Sequence, residues 1–310
     1  MTPGQAHALQ AAQWMPARKP EEWPTVRERI LTMIRTHPRS LQETPGPSEL
    51  GTTCLRCLAH RLHNDPKRET AETQWATTVG TGGHLLLQEW FDRHAEEGET
   101  LRWEAEKRVR TATLQHAGQA VTIGGHIDLW DSLTRTTIDW KFTGRQTVRD
   151  AIRNGPSQTY RVQASLYGIG IRNGTGEYPA ASCIYYLPRS GTNLDEGYAW
   201  EAAYDPKPGR WALRRAQLMY LLLDEADETG CAAQAIGMLP ADPAHCFTCR
   251  NNTYPAAAPM PKPTLAQLVA STGRLGMSEP AAGTRDGLPE RVTMLAGLLE
   301  PTYNPTNNNE

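Results

Sequence analysis

The chain has 310 residues, a formal net charge of −2 and 39% hydrophobic residues, which is enough for a hydrophobic core in one large domain or two small ones. A mean hydropathy of −0.56, with no run of about 18 apolar residues, predicts no membrane-spanning segment. The near-neutral charge excludes a strongly basic protein, although a basic surface can still be local. The N-terminus has no basic segment followed by an apolar one, so we expect a cytoplasmic protein without a secretory signal.

Residues 1–46 are predicted to form an N-terminal arm and one helix. Residues 1–20 are rich in Ala, Gln and Pro, which is typical of a loosely ordered arm. Residues 22–37 have the period of an amphipathic helix. The apolar side of this predicted helix consists of Val26, Ile30, Met33 and Ile34.

Residues 47–250 are predicted to form the central domain, which begins with two helices. The first is predicted to start at Ser48 as its N-cap and to run towards His63, and it carries two of the six cysteines, Cys54 and Cys57. The second spans residues 73–97 with an interruption at the glycine-rich residues 80–83. Its predicted apolar side consists of Leu85, Leu86, Trp90 and Phe91. Residues 101–111 then predict a mixed, solvated strand that includes Glu104 and Glu106.

Two alternating stretches follow and predict a β-hairpin. Residues 124–130 (GGHIDLW) and 137–142 (TIDWKF) each alternate between apolar and polar side chains, which is the period of a strand with one buried face. The polar segment between them has the length of a hairpin connection. Pairing in register would gather Asp128, Asp139 and Lys141 on one side and leave the apolar residues to cover a core on the other.

Two carboxylates and a lysine on one side of a sheet predict a metal site. Like charges close together are unfavourable unless a cation joins them, and Mg²⁺ or Mn²⁺ can bridge carboxylate oxygens while keeping waters for chemistry. The lysine could orient a water or stabilise negative charge on a phosphate. For an isolated Asp-x-Lys the alternative is a solvated strand with one salt bridge. The preceding Gly-Gly-x-x-Asp strand favours the metal site.

Two helices are predicted after the hairpin. Arg145, Arg149 and Arg153 are spaced by four and share one face of the first, where they could hold a DNA backbone or form a plain solvated face. On the second helix, residues 156–172, one face carries Tyr160, Gln163 and Tyr167.

The C-terminal part of the central domain is predicted to contain two strands, a helix and a cysteine pair. The strands are residues 181–187 and 198–204, and the helix is residues 211–228. In an unexported chain, cysteine pairs favour metal binding over disulfides. The four thiolates that two C-x-x-C pairs supply could hold a [4Fe–4S] cluster or a tetrahedral zinc and would join the ends of the domain. These cysteines are Cys54, Cys57, Cys246 and Cys249.

Residues 251–310 are rich in Pro, Ala, Gly and Asn and are predicted to be an accessory tail. Short helices are predicted within it at residues 265–271 and 290–299.

Asp128 followed by Asp139-Trp140-Lys141 resembles the PD-(D/E)xK signature, in the form used by RecB-like exonucleases. That group includes the iron–sulfur nucleases of CRISPR adaptation and many phage recombination exonucleases. The resemblance covers roughly residues 48–249. It extends to Gly80-Thr81-x-x-His84 at the start of a helix and to Gln163-x-x-x-Tyr167 downstream of the Asp-x-Lys.

The resemblance implies a fold and a metal centre. The fold is an α/β, restriction-endonuclease-like core with a central mixed β-sheet flanked by helices. One or two Mg²⁺ or Mn²⁺ ions would be held by His84, Asp128, Asp139 and the carbonyl of Trp140. Lys141 would position the attacking water or stabilise charge at phosphorus. Gln163 and Tyr167, preceded by Tyr160, would lie near the substrate backbone.

For the cysteines, the resemblance implies one ligand from the N-terminal helix, best matched by Cys54, and three from the C-terminal region. Pro255 stands where the last of those three is expected. Cys57 or Cys231 could substitute, or the site could hold zinc or no metal. We favour the set of two C-x-x-C pairs as a staple for a [4Fe–4S] cluster or Zn²⁺.

The expected function is metal-dependent hydrolysis of DNA, exonucleolytic on a single-stranded or free end, in recombination, repair or phage replication in a prokaryotic cell or a phage-infected host. An endonuclease would use the same chemistry. A catalytically silent DNA-binding or assembly module that retains the fold and a structural metal is an alternative, as is a zinc-ribbon-like binding protein. The complete set of Asp128, Asp139 and Lys141 favours the enzyme.

Overall fold

The computed structural model describes most of the central part of the chain and several shorter segments. The described residues are 23–36, 44–66, 75–93, 102–228, 230, 232–244, 246–250, 254, 295 and 298–306. The predicted N-terminal arm, Cys231 and the predicted helix 265–271 lie outside them. The chain divides into two compact units, residues 1–42 with 70–78 and residues 43–69 with 79–310. The predicted domain boundaries at residues 46 and 250 stay predictions.

The described elements are eight helices, five strands and a short 3₁₀ turn. In chain order they are α1 (Trp23–Thr36), α2 (Leu55–Leu62), α3 (Trp75–Arg93), β1 (Trp103–His116), β2 (Gln119–Asp131), β3 (Thr136–Thr143), α4 (Arg145–Asn154), α5 (Gln158–Thr175), β4 (Ala181–Pro188), the 3₁₀ turn (Leu194–Glu196), β5 (Tyr198–Ala203), α6 (Lys207–Glu228), α7 (Ala232–Met238) and α8 (Phe247–Arg250). Within these described residues, none of the helices combines the length and the apolar character needed to cross a bilayer.

The strands form one mixed sheet in the order β1-β2-β3-β4-β5. All neighbours are antiparallel except β3 and β4, which are parallel. A parallel pair requires a long crossover connection, and α4 and α5 supply it here. Helix α4 lies between Gly144 and Gly155, while α5 follows the N-cap Ser157 and ends at the left-handed Gly176. The predicted fold class, a mixed α/β sheet flanked by helices with four cysteines close together, is confirmed.

Helices cover both sides of β3. The side chains of Leu87 and Phe91 on α3 pack against Leu129, Trp140 and Leu187. Side chains alternate along a strand, so Asp139 and Lys141 lie on the opposite side of β3 from Trp140. Helix α5 packs on the side of Asp139 and Lys141. The predicted division of the hairpin into an apolar and a charged side is therefore confirmed for β3. The largest buried cluster joins β1 and β2 to α2, α5 and α6.

Residues of the predicted tail pack against this cluster. Leu299 is buried in it, and the buried guanidinium of Arg215 donates hydrogen bonds to the carbonyls of Glu300 and Pro301. The C-terminal residues 298–306 therefore contribute to the core of the second unit.

Three of the helices differ from their predictions in detail. In α1, Leu31 and Ile34 are the buried pair, while Val26, Ile30 and Met33 are exposed. The next helix begins at Leu55 and not after Ser48, because residues 47–51 form turns and Cys54 is the extended N-cap, whose sulfur accepts a hydrogen bond from the Cys57 N–H. Gly51 in those turns approaches α5 so closely that a Cβ would lie 2.6 Å from the Cα of Thr159.

The third correction concerns α3, which continues without interruption through Gly80–Gly83. A Cβ on Gly83 would lie 2.5 Å from the ring of Phe142, so the missing side chain lets β3 pack directly against the helix. This contact offsets the usual penalty of about 1 kcal/mol for glycine inside a helix. The apolar side also differs from the prediction, because Leu85, Leu86 and Trp90 are exposed and Leu87 packs inward with Phe91.

We predict that Gly83→Ala destabilises the protein by about 1–3 kcal/mol, because the added methyl group must displace the Phe142 ring. Gly82→Ala is the matched control, since no described atom lies within 4 Å of its Cβ position. The control should instead gain up to about 1 kcal/mol from helix propensity. Urea unfolding of both variants measures the difference, and equal effects of the two substitutions would contradict the packing account.

Candidate active site

The candidate site lies where β2 and β3 stop pairing through their backbones. The ladder pairs Asp131 with Thr136, Trp130 with Thr137 and Leu129 with Ile138. At the next position, the Asp128 side chain takes the place of a backbone acceptor: its Oδ2 accepts a hydrogen bond of 2.6 Å from the Trp140 N–H. In this register Asp128 on β2 lies opposite Asp139 on β3.

A hydrogen-bonded group of side chains surrounds Asp139. The Lys141 Nζ lies 2.6 Å from one carboxylate oxygen of Asp139, and the Gln163 Nε2 donates to the other at 3.1 Å. The Oε1 of Gln163 accepts from Lys141 at 2.9 Å, and its Nε2 also donates to the Tyr167 hydroxyl at 2.9 Å. The ammonium group of Lys141 lies 4.7 Å from the ring centroid of Tyr160. One face of α5 thus holds the Asp-Lys pair in a fixed geometry.

Burial controls the charge of this group. Burial, with the neighbouring Asp128 adding to it and Lys141 opposing it, raises the pKa of Asp139 to about 6. For Lys141, burial works against the charge, but Asp139 and Asp128 outweigh it and raise its pKa. Burial and the same two carboxylates raise the pKa of Tyr167, so its phenol stays protonated. Asp128 and Asp139 therefore compete for positive charge, which is the condition that a bound cation relieves.

A second set of groups lies on the other side of Asp128. The Nδ1 of His84, from α3, is 3.2 Å from the Asp128 Oδ1. One potential ligand atom each from His84, Glu106 and Asp128 all lie within 4.8 Å of one another. One imidazole nitrogen and two carboxylates form a donor set that Mn²⁺ accepts and that Mg²⁺ can use together with waters. The residues present therefore fit a divalent cation.

Glu106 is absent from the sequence-based site. It lies in β1 between Ala105 and Lys107, which pair with Leu129 and Ile127, so Glu106 is placed opposite Asp128. Its φ is +50°, a left-handed conformation that a glutamate rarely adopts. Such strain is often found at functional sites. The two-residue turn at Ala117-Gly118, which starts the β1–β2 hairpin, would by itself place Lys107 opposite Asp128, so the sequence carries no signal that identifies Glu106.

Most of the sequence-predicted site residues lie close together. His84, Asp128, Asp139, Lys141, Gln163 and Tyr167 are linked by the contacts above, and Tyr160 joins them through Lys141. Trp140 contributes its N–H to Asp128, and the predicted role of its carbonyl stays a prediction. Gln163 and Tyr167 are buried, so their described contacts are with site residues, and their contact with substrate also stays a prediction.

The three arginines lie on the exposed face of α4, whose other face buries Val148 and Ala151. Arg145 forms an ion pair of 2.7 Å with Glu196. Among the described residues, no ion pair with Arg149 or Arg153 is recorded. The spacing prediction of one arginine face is therefore confirmed, and its contact with DNA stays a prediction.

The four predicted cysteines form a second centre. The Sγ atoms of Cys54, Cys57, Cys246 and Cys249 all lie within 4.8 Å of one another. Interaction with the Cys57 thiol lowers the pKa of Cys54 to about 5, and the same interaction raises that of Cys57, while burial raises the pKa of Cys249 to about 11. Cys57 and Cys249 therefore resist ionisation beside Cys54 unless a metal ion supplies positive charge.

No protein-family model matches the chain, and no curated protein matches it in sequence. Solved structures that are similar to it include the following two. The crystal structure of SSO0001 has a TM-score of 0.42 and 14% sequence identity, over 64% of this chain and 86% of that one. The crystal structure of a "Putative exonuclease" from Eubacterium rectale has a TM-score of 0.40 and 13% identity, over 84% of this chain and 100% of that one.

The inclusion of Glu106 in the metal group can be tested by metal binding. We predict that Glu106→Gln weakens Mn²⁺ binding at least about tenfold, because it removes a carboxylate ligand. Glu104→Gln is the matched control, since Glu104 is exposed and pairs with Lys107 instead. Calorimetric titration with MnCl₂ gives both dissociation constants. Equal affinities in the two variants would remove Glu106 from the site.

Proposed function

We propose that the chain is a divalent-metal-dependent deoxyribonuclease. The observation that carries the proposal is the convergence of Asp128, Asp139 and Lys141 beside His84 and Glu106, from four elements: α3, β1, β2 and β3. A surface salt bridge needs only two such groups and is solvated. Here Asp139 is buried, the side chain of Asp128 is only 11% exposed, and the imidazole of His84 lies beside Asp128.

In this proposal, His84, Glu106 and Asp128 hold one Mg²⁺ or Mn²⁺ ion, and Asp139 with the Trp140 carbonyl completes the centre. When bound, such an ion polarises a phosphate and lowers the pKa of a water. The backbone N–H of Trp140 fixes one oxygen of Asp128 and leaves the other, beside His84, for the metal. The strand register thereby determines which carboxylate oxygen is available.

Lys141 supplies a second positive charge for the hydrolysis, in addition to that of the metal ion. Its ammonium is held by Asp139 and by the Oε1 of Gln163, so its protons point in defined directions. From there it can orient a water for attack or stabilise charge on the phosphate oxygens in the transition state. Gln163 and Tyr167 act as positioning residues in this scheme, because Gln163 donates to Asp139 and Tyr167 accepts from Gln163.

DNA is the proposed substrate, held by its backbone. Arginine guanidinium groups match phosphate oxygens, and Arg145, Arg149 and Arg153 present such groups from α4, directly after the strand of the Asp-Lys pair. We propose an exonuclease that acts on a single-stranded or free end in recombination, repair or phage replication. The cysteine centre would hold a structural metal in the same protein.

The test is degradation of end-labelled linear DNA, single- and double-stranded, with Mg²⁺ or Mn²⁺. We predict degradation of linear DNA that stops with a chelator and falls at least about a hundredfold in Asp139→Asn and in Lys141→Ala, because each loses a charge at the reacting phosphate. Covalently closed circular DNA should resist the enzyme, since it offers no end.

Asp195→Asn and Lys207→Ala make the same chemical changes at exposed positions outside the site and should retain full activity. Cleavage of closed circles would replace the exonuclease by an endonuclease. DNA binding without cleavage under every condition would contradict the enzyme and favour the catalytically silent module.

A further inference from the structure

The separations of the four cysteine sulfurs determine which kind of metal centre they can hold. The Sγ of Cys249 lies 3.3 Å from that of Cys54 and 3.1 Å from that of Cys57. The Sγ of Cys246 lies 3.5 Å from that of Cys57. All four sulfurs fall within 4.8 Å of one another. These are the spacings of a small, closed tetrahedron.

Such a tetrahedron matches a single ion. Zinc–sulfur bonds of about 2.3 Å place the corners of a tetrahedral site about 3.8 Å apart. In a [4Fe–4S] cluster, each cysteine binds a different iron of the cube, which places the sulfur ligands about 6 Å apart. Three of the six sulfur–sulfur separations are 3.1–3.5 Å, slightly below the first value, and the upper limit of 4.8 Å for the others is well below the second.

We propose that Cys54, Cys57, Cys246 and Cys249 bind one tetrahedral Zn²⁺ ion and not an iron–sulfur cluster. Four thiolates in a tetrahedron suit zinc, which binds N and S ligands more tightly than Fe²⁺ does. All four positions are filled by the protein, so no position is open for substrate. The site is structural, and this inference does not rest on the nuclease activity.

The chain around the sulfurs supports such a centre. Cys54 is the N-cap of α2, and the Cys57 N–H points at its sulfur at 3.4 Å. The positive end of the helix dipole favours thiolates there. The four cysteines are free thiols in this structure, and each of the reported sulfur separations exceeds the disulfide bond length of about 2.05 Å.

Polar contacts independent of the sulfurs hold the two cysteine pairs together. The Arg56 guanidinium donates to the carbonyls of Gly237 and Leu239 at the end of α7, and the Thr53 hydroxyl donates to Asp242. The start of α2 is thus already held against the segment that leads to Cys246. Zinc would fasten this contact between parts of the chain that are 189 residues apart.

The experiment is metal analysis of the full-length protein, produced in cells supplied with both zinc and iron and purified without oxygen. We expect about one zinc per chain, little iron and no absorption near 400 nm. After exchange with Co²⁺, we expect the d–d bands of a tetrahedral thiolate site between roughly 600 and 750 nm. The Co²⁺ exchange needs no variant and so tests the site even where a substitution prevents folding.

Cys249→Ser should reduce bound zinc at least about fivefold, and Cys249→His should retain it as a Cys₃His site. Cys183→Ser is the matched control, because Cys183 lies in β4, outside the cysteine cluster, and should keep the full zinc content. About four iron and four sulfide per chain with a brown colour would overturn the proposal. A metal-free protein, with either free or disulfide-bonded cysteines, would also overturn it.

Discussion

The candidate active site depends on a one-residue irregularity in the pairing of β1 and β2. The hairpin starts with His116 opposite Gln119, and the register shifts between Arg110 and Ala112, where Thr111 is the extra residue. A β-bulge changes which side chains face each other in the strand beyond it. Without this shift, Glu106 would be displaced by one residue from its place opposite Asp128.

Helix α5 holds this bulge in place. The buried hydroxyl of Thr111 donates to the Leu166 carbonyl at 3.2 Å, and a Cβ on Gly170 would lie 2.7 Å from the side chain of Val109. The same helix carries Gln163, which donates to Asp139, and Tyr167, which accepts from Gln163. One helix therefore positions both groups of acidic residues, the one that includes Glu106 and the one at the Asp-Lys pair.

The parts of the site that alternation or helical spacing controls could be predicted from the sequence. The period of two in β3 places Asp139 and Lys141 together and Trp140 opposite them, and the spacing of four on α5 places Gln163 with Tyr167. Glu106 could not be found in this way, because a bulge shifts the register without a composition signal. The start of α2 was also missed. Its N-cap is Cys54, which caps the helix with a sulfur atom, and cysteine is not among the residues usually preferred as N-caps. Packing decided the continuity of α3, where the Phe142 ring occupies the space above Gly83.

The two centres differ in what their ligands leave open. The cysteine cluster supplies four protein ligands, as structural sites do, whereas the carboxylate group of His84, Glu106 and Asp128 supplies three, fewer than an octahedral ion requires. Anomalous diffraction from crystals soaked in MnCl₂ tests the central claim most directly, because it locates the metal. The account predicts a manganese peak bound by His84, Glu106 and Asp128, close to Asp139. Crystals in which manganese is fully bound at other positions, but gives no peak among these residues, would contradict it.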